Sequence, residues 1–191
     1  PMWMAVRLYY AGMRDINLLA DITNYMMLEL GQPMHAFDHD VVKGIEVIEA
    51  KKGDKILTLE GEEHEMPEGA VVIADDNKVP VAIAGVMGGL SSEIEDNTNS
   101  TVLESANFDA VKIRKTATAL GLRSESSARY EKSLDPEMTM TALLRYIYLL
   151  KNIDDNKLID VGKQMSNHKL SQDEINNLLV KLANEGKIVV R

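Results

Sequence analysis

The chain has 191 residues, 45% of them hydrophobic, a formal net charge of −9 and no cysteine. That length supports one substantial core without staples, and the lack of thiols excludes disulfides, thiolate zinc sites and a cysteine nucleophile. The acidic balance argues against a generic nucleic-acid binder, whose affinity comes mostly from Lys and Arg on phosphates. No apolar run approaches the ~20 residues that span a bilayer, and Pro1-Met-Trp-Met lacks the regions of a secretion signal. A soluble cytoplasmic protein with no membrane partner is expected. A chain opening at Pro1 is further expected to be a piece of a longer protein.

In chain order, residues 2–11 are apolar and helix-compatible, with Gly12 as a C-terminal cap. Asn17 to Ile22 reads as a buried strand. Thr23 to Leu30 reads as a helix that Thr23 and Asn24 cap at its start and Gly31 ends, so that Pro33 places His35 in a loop. Short β-runs follow at 45–50, 55–59, 70–74 and 79–84, with a turn at Asp76-Asn77-Lys78, and then at 101–106. A helix at about 110–120 is bounded by Asp109 and Gly121. After Asp135-Pro136 the chain is helical through Leu150. The tail carries a capping box, Ser171-x-x-Glu174, before apolar residues at helical spacing, and a strand-like Ile188-Val-Val190. Strands with helices grouped outside them predict an α+β fold: a mixed or antiparallel sheet core with flanking helices and a helical C-terminal extension. The division expected is 1–151 for the main domain and 152–191 for a linker strand and helix.

No nucleophile elbow, phosphate-binding P-loop or dinucleotide fingerprint is present, which leaves a water-based hydrolytic site or a binding module. His35 is the strongest single residue, since imidazole orients or deprotonates water near neutral pH. It could equally be a structural loop histidine. His39, four positions on, would complete a zinc pair only on a helix, which Pro33 disfavours, so no metal is expected. Gly85, Gly88 and Gly89 form either a plain turn or a loop whose N–H groups approach a ligand closely. Glu104 is the only charge between Ser100 and Asn107; it is an outward strand carboxylate or an acceptor inside a pocket. Lys112, Arg114, Lys115, Arg123, Arg129 and Lys132 make a basic stretch in an acidic chain. They read as solvated helix charges or as an RNA contact.

Three segments, 21–38, 84–89 and 103–106, together with Gly121-Leu-Arg-Ser-Glu-Ser-Ser-Ala-Arg-Tyr-Glu-Lys-Ser-Leu-Asp-Pro136, resemble the editing module of the phenylalanyl-tRNA synthetase β subunit. The resemblance implies hydrolysis of mischarged Tyr-tRNA(Phe), with His35, Asn24 and Thr23 as catalytic residues. It also implies Glu104, Gly85, Gly88, Ser124 and Ser126 around the amino acid. Ser124 and Ser126 stand where the family typically has Thr and Ala, and Ala110 and Ser133-Leu134 also depart from its pattern. If RNA touches the chain, Arg114, Lys115 and Arg123 are the contacts expected. Partners implied are the tRNA(Phe) acceptor end, the synthetase α subunit and other β-subunit modules. No cofactor is expected in this segment, ATP and magnesium belonging to the α-subunit site. The alternative is a non-catalytic module that cradles tRNA or packs between subunits.

The physical need for such a site is clear. A pocket shaped for phenylalanine rejects an isostere with one added hydroxyl by only ~10²-fold. A second sieve must therefore prefer the hydroxyl, and a partly buried carboxylate does so because the hydroxyl-free side chain leaves it unpaired.

Overall fold

A computed structural model describes residues 1–95, 97, 98 and 100–153. The first helix, α1 (Met2–Tyr10), turns Met4 and Leu8 inward at i, i+4 spacing, and the chain reverses at Gly12, φ +80°. The second, α2 (Leu18–Leu30), begins where a strand was expected. Asn17 is extended, at φ −152°, and its side chain accepts from the Ala20 amide 3.0 Å away. Ile22 and Met26 then bury one helical face. A short apolar run such as Leu18-Leu19-Ala20 suits either element, and the cap with the i, i+4 burial decides for helix. Thr23 and Asn24 consequently lie inside α2 and cap nothing. The helix ends where expected, at Gly31 in the left-handed region (φ 75°), whose N–H reaches the Met27 carbonyl.

Eight strands follow. They are β1 (His35–Asp38), β2 (Glu46–Glu49), β3 (Lys55–Leu57), β4 (Glu63–Glu65), β5 (Val71–Ala74), β6 (Pro80–Ile83), β7 (Met87–Gly88) and β8 (Thr101–Glu104). Every pairing is antiparallel: a four-stranded sheet in the order β2-β5-β6-β7, a β3-β4 hairpin and a β1-β8 ribbon. His35 therefore opens a strand rather than sitting in a loop. Its segment has only four residues, and its partner lies far along the chain, so no local signal marks it. The expected turn between β5 and β6 forms around Asp75, whose carboxylate accepts from the Asn77 and Val79 amides. The hairpin docks on the sheet through the Thr58–Gly89 bridge and a bond from the Leu59 amide to the Gly88 carbonyl, 3.1 Å.

Three more α-helices of this α+β fold follow among the described residues. In α3 (Ala110–Leu120) the Asp109 side chain accepts from the Lys112 amide, and Gly121 closes the end at φ 69°. The six-residue α4 (Glu125–Tyr130) is held by a reciprocal capping box between Ser124 and Ser127. It was not anticipated, being too short to show a period. The last, α5 (Met138–Asn152), packs against α2, where Arg145 donates twice to the Glu29 carboxylate, at 2.8 and 2.7 Å. The linker strand and helix expected in the tail, with the Ser171 capping box, lie outside the described residues.

Two apolar clusters frame the site. Met4, Leu8, Ile22, Met26, Tyr146 and Leu149 join α1, α2 and α5, while Val72, Ile83, Ile113 and Tyr130 join the sheet to α3 and α4. The β1-β8 ribbon, whose Phe37 and Val102 pack with Ile73 and Ala82 of the sheet in a third cluster, is tied to Tyr130 by a polar clamp. Gln32 Nε2 donates to the Ala106 carbonyl (2.8 Å), and the Tyr130 hydroxyl also reaches that carbonyl (3.0 Å). Gln32 precedes β1 and Ala106 follows β8, so the clamp ties the two strands at one end.

Candidate active site

A cavity of about 350 Å³ opens where α2, the β1-β8 ribbon, the β6-β7 turn and the start of α4 meet. Thr23, Asn24, His35, Gly85, Gly88, Glu104, Ser124 and Ser126 all line it. Residues drawn from separate segments of the chain thus converge on one space. His35 and Glu104 are directly opposite across the antiparallel ribbon, so their side chains share one face. Asn24 approaches from the helical side, and the glycine turn supplies backbone opposite.

The polar groups divide into those already satisfied and those left open. Thr23 Oγ1 donates to the Ala20 carbonyl at 2.7 Å, so its hydroxyl proton is used and its lone pairs remain. Ser124 Oγ donates to the Val86 carbonyl at 2.6 Å and Ser126 Oγ to the Gly85 carbonyl at 3.1 Å. Those two serines stitch α4 to the glycine turn, and the added hydroxyl of Ser126 is absorbed in that stitch. Among the described residues, the side chains of Asn24, His35 and Glu104 form no hydrogen bond or ion pair.

Burial sets the protonation of the two titratable members, His35 and Glu104. The His35 ring is pushed down from 6.5 to about 4 because its charged form loses water, so it is a neutral imidazole at neutral pH. Its Nε2 is sealed from solvent without a partner. Glu104, only 8% exposed, is pushed up from 4.5 to about 8 by the same cause, and in the free cavity it is mostly a neutral acid. Neighbouring Tyr130 is held well above the usual phenol range, first by burial and then by Glu104.

Glycine is required at three points for different reasons, and at Gly89 the obstacle is backbone, since a Cβ there would fall 2.1 Å from the Val81 carbonyl oxygen. Gly85 has φ +65°, and a Cβ there would stand 2.9 Å from Tyr130 Cδ2. At Gly88 the obstacle is His35: a Cβ would lie 2.7 Å from its Cε1 and 2.8 Å from its Nε2. The imidazole therefore lies flush against the main chain, a position open to it only because no side chain projects there.

A family model described as the B3/4 domain matches residues 1–155. The chain belongs to the B3/4 domain family. Among similar proteins, the phenylalanine–tRNA ligase β subunit of Clostridium acetobutylicum is 44% identical over 162 residues, 84% of this chain and 20% of that protein. The β subunit from Aquifex aeolicus is 48% identical over 151 residues (78% of this chain, 19% of that protein). That of Staphylococcus aureus is 39% identical over 188 (94% and 23%). This B3/4 domain spans about a fifth of the length of the relatives it matches, and the expected resemblance to the synthetase β subunit is borne out.

The basic stretch of this B3/4 domain lies outside the cavity. Lys112 pairs with Glu49, Arg123 with Glu131 and Arg129 with Glu125. Arg114 and Lys115, on the exposed face of α3, have no ion pair among the described residues. Two contributors to the site escaped sequence reasoning. Arg14 lines the cavity from the loop before α2, where an isolated cation gives no motif. The other is the Tyr130–Gln32 pair that holds the ribbon, and neither residue carries a local signal. No helix among the described residues is long and apolar enough to cross a membrane.

Proposed function

We propose that this B3/4 domain hydrolyses tyrosine mischarged on tRNA(Phe), acting within the β subunit of a phenylalanine–tRNA ligase. The observation that carries this reading is the open trio of Asn24, His35 and Glu104 around one cavity. Buried polar groups without a partner, here His35 and Glu104, are costly unless a ligand completes them. A tyrosyl ester supplies what they lack: a phenol for Glu104, and a carbonyl and attacking water for His35 and Asn24.

An aminoacyl ester is already activated, so the protein need only place water and stabilise the oxyanion. The water oxygen bonds to the ester carbonyl carbon and the carbon–oxygen bond to the ribose breaks. One water proton ends on the ribose oxygen, and free tyrosine and uncharged tRNA leave. His35, being neutral, orients the water with Asn24 and the Thr23 lone pairs. A ring with so low an affinity for protons is a weak base, so positioning is the larger part of its role. Backbone N–H groups near Gly85 and Gly88 receive the oxyanion.

Arg114 and Lys115 are assigned to phosphates of the tRNA, with Arg123 at the edge of that surface. Partners assigned are the acceptor end of tRNA(Phe), the α subunit and the remaining β-subunit modules, in the cytoplasm. ATP and magnesium are assigned to the α subunit. Reversing the charge of both Arg114 and Lys115 is expected to raise the KM for mischarged tRNA several-fold. It should flatten the log–log salt dependence by about 2 without changing amino-acid preference. An unchanged salt slope would reduce that face to a solvated helix surface.

The direct test is deacylation of Tyr-tRNA(Phe) against Phe-tRNA(Phe) by the assembled ligase. Selective hydrolysis of the tyrosyl ester is expected. Tight tRNA binding with no hydrolysis would make the domain a binding module.

A further inference from the structure

A second, smaller cavity of about 60 Å³ adjoins the first, lined by Asn17, Ala20, Ala36, Glu93 and Ile94 among others. The two share a wall, since Ile16, Thr23, His35 and Leu59 line both. The smaller space is too small for an amino acid but ample for one or two waters, which need two to four polar partners to be held. Those partners are present. Thr23 Oγ1 has spent its proton on the Ala20 carbonyl and can only accept, while Asn17, its Oδ1 taken by the Ala20 amide, keeps one Nδ2–H to donate beside a stretched 3.5 Å bond to the Ile94 carbonyl. The Glu93 carboxylate stands exposed at the rim with no ion pair among the described residues.

Hydrolysis poses a supply problem that this arrangement answers. An aminoacyl ester that seated its amino acid in the larger cavity would fill the mouth with its own ribose. Water must then be in place already or arrive by another opening. We propose that the smaller cavity is a water-binding site that feeds the hydrolytic water past Thr23 and His35 into the larger one. This inference rests on the hydrolase reading above.

Ala20 and Ile94 line only the smaller cavity, so each can fill it without touching the ester site. In the assembled ligase, Ala20→Leu and Ile94→Trp are each expected to slow single-turnover deacylation of Tyr-tRNA(Phe) tenfold or more. The Kd for tRNA and the preference for tyrosine over phenylalanine should not move. Ala20→Ser, which keeps the space, should retain the rate. A high-resolution crystal structure of the unsubstituted protein should show an ordered water within hydrogen-bond distance of Thr23 Oγ1, and Ala20→Leu should remove it. Hydrolysis that survives both fillings, or the absence of that water, overturns the supply role alone. Failure of the unsubstituted ligase to hydrolyse Tyr-tRNA(Phe) overturns the hydrolase reading and the supply role with it.

Discussion

Replacing Glu104 with alanine is expected to collapse the preference for Tyr-tRNA over Phe-tRNA by about tenfold to a hundredfold, because no buried acceptor then penalises a missing hydroxyl. Glutamine separates two forms of the same contact. The cavity holds Glu104 mostly protonated at neutral pH, with its titration near pH 8. A phenol that donates to the ionised form gains a charge-assisted bond, so preference in the unsubstituted enzyme should grow as pH rises through about 8. Glu104→Gln should show a preference that is flat across that range. Parallel rate and pH profiles for the unsubstituted enzyme and the Glu104→Gln variant would place this side chain outside recognition of the phenol.

The same burial has a stability signature whose sign is fixed. A carboxyl whose folded pKa exceeds its unfolded one holds more protons in the native state, so stability falls as pH rises from about 4.5 toward 8. Glu104→Gln should therefore raise Tm relative to the parent at about pH 9, by an amount equivalent to a few kcal/mol, and make little difference near pH 4. His35 acts in the opposite direction over an overlapping range. Its depressed pKa means stability is lost as pH falls from about 6.5 toward 4, and a variant without the imidazole should lose that slope.

The second large effect concerns His35 and the glycine beneath it. His35→Ala is expected to lower hydrolysis of Tyr-tRNA by about 10²-fold with the fold intact, the usual worth of a positioned side chain in proton or water handling. Gly88→Ala should do nearly the same without touching the imidazole chemically, because its Cβ would enter the space held by Cε1 and Nε2. The double variant tests the mechanism. If Gly88→Ala works by displacing the ring, it adds little on the His35→Ala background, and the two effects are strongly non-additive. Full additivity would mean that Gly88 acts on the substrate directly.

Much of the fold was legible where a residue has one physical reason to be present. Gly31 and Gly121 end helices in the left-handed region, Asp109 caps α3, and the β5-β6 turn follows from the Asp75 side chain. Failures came where the signal was short or remote. The run from Asn17 to Ile22 has too few residues to separate strand from helix, and the cap contact with Ala20 and the joint burial of Ile22 and Met26 decide it. His35-Ala-Phe-Asp38 is too brief to declare itself a strand. Eight of the residues that line the cavity were named, mainly through family resemblance, while apolar wall residues such as Met27, Ile73 and Ala82 were not. Local sequence cannot reveal that His35 faces Glu104, since pairing register between distant strands is a property of the whole fold. Nor could charge counting show that half of the basic stretch is already engaged by Glu49, Glu125 and Glu131.

The β1-β8 ribbon also bears on how the protein matures. Two four-residue strands are marginal alone, and here they close a loop that contains the entire four-stranded sheet and the β3-β4 hairpin. Closing so long a loop must precede the contacts that reward it, which places ribbon formation late in folding. Ligand-binding competence should then emerge with the slowest refolding phase, after most of the helical signal has recovered. During synthesis, the nascent chain would carry the imidazole through the whole of the intervening sheet before the carboxyl it will face has been made.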